Sequence, residues 1–404
     1  MKRKILHKSR KRYKSPPYTF HMHINAIRFL DRKVGIPICR FLQFVKWAKR
    51  KKFDAKKLDV KKILIIKMWG LGTITLCSPT FRALRKKHPH AKIYFLTMSS
   101  NKGLYDGNDF FDEIIYFPIQ NLFQMALDGL KLLYRLRKEK LDLVIDLEII
   151  ARFTALLSYF SGAKATIGFD PKGQGRSGLF DIRVPYHEYG HITESFLEVL
   201  KPLGIAKPSL TLEKPFIPSP DKKMVEELLQ KHKIKTYCVV NVNTSNLALE
   251  RRWGSEKFAF VMDHIVQKHK LSVVMIGGPL EKHYTEQCRQ LAKNKSKILN
   301  FAGETKNVKQ LCYLLEKARF VLSNDSGPVH MANAMGVPVL AFFGPETPKL
   351  YGPLRPKNQV FYKNLPCSPC ISIHNAKVVD CHIGVQCMKK IHSEEVIAQL
   401  DRML

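Results

Sequence analysis

The segment Ser323-Asn-Asp-Ser-Gly-Pro-Val-His330 puts small polar residues between an apolar run ending at Leu322 and a stretch of helical character that opens at about Pro328. A strand that turns sharply into a helix presents free backbone N–H groups and a positive dipole end, a site for an anion. Ser326 and Gly327 are small enough for a diphosphate to approach, and His330 on the first turn can reach a phosphate or ribose. The plainer reading is that Asp325 and Ser326 cap the helix and that His330 is a packed, hydrogen-bonded histidine. A second constellation, Cys367-Ser-Pro-Cys370 with Cys381 and Cys387, has the spacing C-x2-C-x10-C-x5-C among turn residues. Four thiolates on one loop suit a structural tetrahedral zinc. Disulfides and inert thiols remain open, and His374 and His382 are spare ligands. Cys39, Cys77, Cys238, Cys288 and Cys312 fall in apolar runs or helices and read as core.

These residues need elements to hold them. From Lys61 the chain alternates strand and helix: the buried-strand run Ile63-Leu-Ile-Ile66, a Trp69-Gly-Leu-Gly72 loop and a helix over 74–87. Strands follow over 91–97 and 113–117, then a helix over 122–137 and a strand over 143–147 that ends in acids. Residues 168–175 read as a long Gly/Pro-rich loop, 192–200 as a helix and 202–220 as Pro-punctuated. The rhythm restarts with a strand over 237–241, a helix over 256–268, a strand over 271–276, a helix over 281–293 and strands over 319–322 and 337–343. This is the pattern of doubly wound parallel sheets, whose ligands sit at the carboxyl ends of the strands. The predicted division is a basic arm with an amphipathic helix over 1–60, an N-terminal Rossmann-like domain over 61–205 and a linker over 206–235. A C-terminal Rossmann-like domain over 236–390 and a terminal helix over 391–404 complete it.

Asp325, Ser326, Gly327, His330 and Ala334, with Gly344-Pro345 downstream, resemble the nucleotide-binding motif of glycosyltransferase family 9, the ADP-heptose:lipopolysaccharide heptosyltransferase family. Lys61–Lys67 with Gly70 and Gly72, residues 78–85, 141–146, 161–164 and 167–169, and Arg251-Arg-Trp253 resemble other segments of that family. The likeness runs from about Ile63 to Ile391. It implies a GT-B α/β fold, two Rossmann-like domains facing a cleft, with the acceptor on the N-terminal domain and a nucleotide-sugar donor on the other. It also implies an inverting transfer that requires no cofactor.

An inverting transfer needs a base for the acceptor hydroxyl, and positive groups or helix N-termini for the departing diphosphate. Arg251, Arg252 and the Ser326 and Gly327 amides suit the second role, and Thr244 and Ser245 offer donors to phosphate oxygens. Arg251 and Arg252 also read plainly as a solvated pair at a helix start. The family places Asp directly after the loop glycine, and this chain has Thr73 after Gly72. A threonine hydroxyl is no general base near neutral pH. Glu148, at the end of the 143–147 strand, is the substitute carboxylate; its plainer reading is an ordinary strand-end acid. The alternative is a catalytically silent protein that binds a nucleotide sugar.

Bulk composition sets the partners. The chain carries a formal net charge of +34. Residues 1–62 alone hold 21 Lys and Arg against three acids. Apolar residues recur between the charges over 21–52, so the arm contains a basic amphipathic helix able to lie on an anionic membrane surface, or to pack on the protein itself. An anionic glycolipid acceptor such as the lipopolysaccharide core fits this field. No nucleic-acid motif accompanies the charge. No transmembrane run or signal-peptide pattern is evident, so the expected location is cytoplasmic, peripheral on the inner face of the cytoplasmic membrane. An epimerase on the same fold is a further alternative.

Overall fold

The computed structural model describes residues 29–48, 59–118, 121–206, 208–375, 379 and 381–404; the basic arm over 1–28 lies outside them. Two six-stranded parallel sheets form the framework. The first contains β1 (Lys62–Ile66), β2 (Lys92–Met98), β3 (Glu113–Phe117), β4 (Leu143–Asp146), β5 (Ala165–Asp170) and β6 (Ile182–Pro185), in the order β3-β2-β1-β4-β5-β6. The second contains β7 (Tyr237–Asn241), β8 (Ser272–Met275), β9 (Ile298–Asn300), β10 (Val321–Asn324), β11 (Val339–Phe342) and β12 (Gln359–Phe361), in the order β12-β11-β10-β7-β8-β9. Read from the other edge, its order matches the first sheet. The central strands are apolar runs because helices cover both faces: β1 is buried from its second residue, and β7, β10 and β11 throughout.

The shared order has a functional consequence. In each sheet all strands run parallel, but the side on which successive strands are added reverses between the first and fourth strands, β1 and β4 or β7 and β10. A crevice opens there at the carboxyl ends. The Gly70–Gly72 loop and Glu148 leave β1 and β4, while Thr244, Ser245 and the 325–330 segment leave β7 and β10.

Several elements differ from the sequence reading. The helix expected over 74–87 is two, Leu71–Leu76 and Ser78–Lys87. Pro79 lacks the N–H that would bond back one turn, so the chain restarts at Cys77. The loop expected over 168–175 begins later, because β5 runs through Asp170. Gly168 is a strand residue there, and the Phe180 ring fills the space a Cβ would need. The linker over 206–235 shortens, since Ser219–Lys231 is a helix that buries Val225 and packs on the helix Val308–Glu316.

The amphipathic segment is seated on the N-terminal domain rather than standing apart from it. Asp31 Oδ1 accepts from the backbone N–H of Arg152 and Phe153 at 2.9 and 3.0 Å, capping the helix Arg152–Phe160. Gly35 lies against Arg152, where a Cβ would come within 2.9 Å of the Arg152 Cβ. Along the helix Gly35–Ala48, Cys39 joins Ala155, Leu179 and Phe180 in a small core, and Lys46 bonds the Leu179 carbonyl and pairs with Asp181. The inward face is therefore that of Cys39. Ile38, Phe41 and Phe44 remain exposed.

The two domains meet along the cleft. The helix Leu71–Leu76 packs on the helix Gly327–Met335. His191 Nε2 lies 2.8 Å from the Gly352 carbonyl, and Lys309 donates to the Asp106 carbonyl at 2.6 Å.

Candidate active site

In the second sheet the strand ends are tied by asparagines. Asn241 Nδ2 donates to Ser326 Oγ at 2.8 Å and to Ser323 Oγ at 3.1 Å, while Asn324 Nδ2 donates to the Val242 carbonyl at 2.8 Å. These bonds hold the loops after β7 and β10 side by side. Ser326 occupies the N-cap of the helix Gly327–Met335 in extended backbone, but its side chain makes no capping bond. Its hydroxyl instead donates to the Asn324 carbonyl at 3.0 Å. The capping reading thus fails for Ser326, and the first-turn amides stay available to an anion. Pro328 lies in that first turn, and His330 is buried on the helix.

Arg251 joins three parts of the site. One terminal nitrogen contacts the Asp325 carboxylate at 3.3 Å and the Asp325 carbonyl at 3.2 Å, and the other donates to Ser245 Oγ at 2.8 Å. Thr244 is buried, with its hydroxyl 3.4 Å from the Ala248 carbonyl. Arg252 stands outside this group: its guanidinium lies 3.9 Å from the centre of the Tyr284 ring, a cation–π contact. Trp253 anchors the segment. Its ring stacks on Phe342 at 4.2 Å, its indole N–H bonds the Ile391 carbonyl, and its backbone N–H reaches Asn324 Oδ1 at 2.9 Å.

On the facing side, Glu148 Oε1 accepts from Lys67 Nζ at 2.8 Å and from the backbone N–H of Met68 and Trp69 at 2.8 and 3.1 Å. The acid therefore braces the loop after β1, and all three contacts fall on one oxygen. Asp146 lies beneath it, wholly buried, pairing with Arg176 and accepting from the Glu148 N–H at 2.9 Å. Thr73 spends its hydroxyl on the Trp69 and Gly70 carbonyls, both at 2.9 Å. Gly70 has φ 87°, open to glycine at little cost. Gly72 is required for another reason: a Cβ there would lie 2.8 Å from His330 Cδ2 and 3.0 Å from Gly327 Cα. The loop after β1 and the helix Gly327–Met335 touch through Gly72 and Gly327. Tyr351, buried beside the cleft, has its hydroxyl pushed far above its usual range by burial and then by the charges of Glu346, Asp325 and Glu148.

The Gly344-Pro345 turn is packed by the cysteine loop. The Cys370 and Ile371 N–H groups both reach the Pro345 carbonyl at 2.9 Å, and a Cβ on Gly344 would meet Cys387 Sγ at 2.9 Å. Burial raises the Cys370 thiol and pushes Cys387 up to about 11, with the neighbouring cysteines adding to both. No three of these sulfurs lie within 4.8 Å of one another, so as placed they do not fit a closed tetrahedral site. Spacing along the chain does not mark Asn241 and Asn324 as positioning groups, and Lys67 and Trp253 enter there only as members of the family-like segments. The signal was present in part, since β7 and β10 are apolar runs that each end in asparagine.

Two Rossmann-like domains with facing crevices, one holding an open helix N-terminus, define the GT-B fold. The glycosyltransferase family 9 (heptosyltransferase) model matches residues 130–378, and the chain belongs to that family. It is 24% identical over 297 residues to the lipopolysaccharide core heptosyltransferase OpsX of Haemophilus influenzae, covering 71% of this chain and 80% of that one. Its fold is similar to a family 9 glycosyltransferase from Veillonella parvula, with TM-score 0.70 and 22% identity over 87% of this chain and 99% of that one. It is also similar to the ADP-heptose lipopolysaccharide heptosyltransferase II of E. coli, with TM-score 0.67 and 19% identity over 85% and 98% of the two chains. The protein is a glycosyltransferase.

Proposed function

We propose that this enzyme moves a heptose-like sugar from a nucleoside diphosphate donor to a lipid-linked saccharide of the lipopolysaccharide-core type, with inversion and with no metal in the transfer step. The observation that carries this reading is the uncapped N-terminus of the helix Gly327–Met335, pressed against the Gly70–Gly72 loop at the meeting of the two crevices. In this reading the Ser326 and Gly327 amides, Pro328 and His330 border the diphosphate, and Arg251 neutralises the leaving charge from its seat on Asp325 and Ser245. Thr244 shapes the same loop, and Arg252 supports it through Tyr284. The names of the relatives favour transfer over a silent binding protein. Incubation with ADP-heptose and a truncated lipopolysaccharide acceptor should give a product heavier by one heptose. Release of ADP with no acceptor modified would overturn the proposal.

We assign the base to Glu148. Three donors hold Oε1, which leaves Oε2 to receive the proton of the acceptor hydroxyl. Glu148→Gln is expected to lower kcat by roughly 10²-fold or more with little change in donor KM. A loss in donor KM alone would make Glu148 a positioning residue for the β1 loop.

The zinc reading of Cys367, Cys370, Cys381 and Cys387 is a structural one, since these residues pack the Gly344-Pro345 turn. It requires the loop to draw the sulfurs together. Metal analysis of purified protein that finds no zinc would remove it.

Membrane attachment is the last part of this proposal. Ile38, Phe41 and Phe44 stand exposed beside Arg32, Lys33 and Arg40. A second exposed stripe, Phe123, Leu127, Leu130 and Tyr134, follows helical spacing along Leu122–Glu139 beside Lys131 and Lys138. Apolar side chains flanked by basic ones suit the headgroup boundary of an anionic leaflet. Among the described residues no helix is long and apolar enough to cross a membrane.

A further inference from the structure

The helix Ser255–His269, which follows the Arg251–Trp253 segment, packs on the terminal helix Ser393–Met403. At the end of that contact His264 Nε2 and His269 Nε2 each lie 2.8 Å from the same oxygen, Asp401 Oδ1. Lys268 Nζ takes the other oxygen at 2.8 Å. The two imidazoles meet at 67° with ring centres 5.7 Å apart. Among the described residues this is the one group of three metal-ligating side chains whose ligand atoms all lie within 4.8 Å of one another. It is half-buried, so an ion can enter from solvent and keep a water.

We propose that His264, His269 and Asp401 form a binding site for a divalent transition ion of the zinc class, which staples the terminal helix to the donor domain. Ligand bonds of about 2.0–2.2 Å place the corners of a tetrahedron about 3.3 Å apart. The present 2.8 Å separations need only a slight opening to admit an ion. Two imidazoles and one carboxylate, with an open fourth position, are a borderline donor set that suits Zn²⁺ or Cu²⁺ rather than Mg²⁺ or Ca²⁺. His264, Lys268 and His269 all reach the Asp401 carboxylate, so it already faces the two imidazoles. On binding, each neutral imidazole moves its proton from Nε2 to Nδ1 and offers the freed lone pair. No net proton is released by a neutral ring, and one is released by a protonated ring. Lys268 opposes the ion by charge, which makes it a diagnostic position.

The test uses the full-length protein titrated with Cu²⁺ and with Zn²⁺. The Cu²⁺ electron paramagnetic resonance spectrum should show coupling to two imidazole nitrogens, which separates this site from the thiolates at 367–387. His269→Gln should weaken that site at least tenfold, and Lys268→Met should tighten it, an effect that a hydrogen-bonded triad without a metal role would not give. Zn²⁺ stoichiometry should fall by one ion in His264→Gln/His269→Gln. A wild-type spectrum without two nitrogens, or one unchanged by His269→Gln, would overturn the proposal. The wild-type spectrum decides the matter even if the variants fail to fold.

Discussion

Gly72 shows how one hydrogen atom in place of a methyl controls the cleft. Its Cα faces Gly327 and His330 so closely that alanine must push the first loop off the helix Gly327–Met335. Gly72→Ala should therefore reduce kcat/KM by about 10²-fold, as misplacement of a site by about an ångström does. Its melting temperature should stay near the wild-type value, because the displaced contact lies between domains rather than within either core. Steady-state kinetics beside a thermal scan would check this. Equal losses in both would show instead that the glycine serves folding. Thr73 sits one residue away with its hydroxyl turned back to the Trp69 and Gly70 carbonyls. Its local role is to brace the loop, which is why the base is proposed to be Glu148, just past the end of β4.

At the scale of elements, two helix starts are held by residues from elsewhere. Asp31 caps the helix Arg152–Phe160 from the N-terminal extension. Asp31→Ala should cost roughly 1–2 kcal/mol in urea unfolding, near the upper part of the range for a lost cap because a pairing with Arg152 goes with it. Limited proteolysis should at the same time free the segment around 29–48. His191 starts the helix Ile192–Glu198: its Nδ1 accepts from the Thr193 N–H at 3.2 Å and its Nε2 donates to the Gly352 carbonyl of the other domain. That pattern needs a neutral ring, and burial lowers its pKa from 6.5 against the opposing pull of Gly352 and Glu194. The unfolded chain then takes up the proton first as pH falls. The stability His191 contributes is present above 6.5 and is lost as pH drops from 6.5 through the lower folded value. His191→Gln should flatten the slope of stability against pH in that window, and an unchanged slope would assign it to other groups.

For the whole molecule the question is how it meets its acceptor. The two exposed stripes flank the helix Arg152–Phe160, since the Gly35–Ala48 helix packs on it and Gly129 of the other faces Phe153. Removal of residues 1–60 would be a poor test of membrane binding. It would also remove the Asp31 cap and uncover the Cys39 contact. Phe41→Ser/Phe44→Ser and Phe123→Ser/Leu130→Ser leave the buried face intact. Each pair should lower sedimentation with anionic liposomes several-fold, while binding to neutral liposomes stays weak throughout. Sedimentation equal to wild type in both pairs would place membrane attachment elsewhere, including the arm over 1–28.

The sequence by itself determined the alternation of strand and helix, the two parallel sheets and the strand–turn–helix over 321–335, because these depend on local apolar runs and on residues adjacent in the chain. β3 and β7 begin and end where their patterns do. Short strands such as β6, β9 and β12 were illegible, since three or four residues carry too little periodicity. The helix Ser219–Lys231 was hidden by the prolines around it. Only the tertiary structure decided which polar groups face one another. Glu148 meets Lys67, Arg251 meets Asp325, and His264 and His269 share Asp401. Each pairing joins side chains far apart in sequence through the crossing of separate elements, and no spacing along the chain encodes such a meeting.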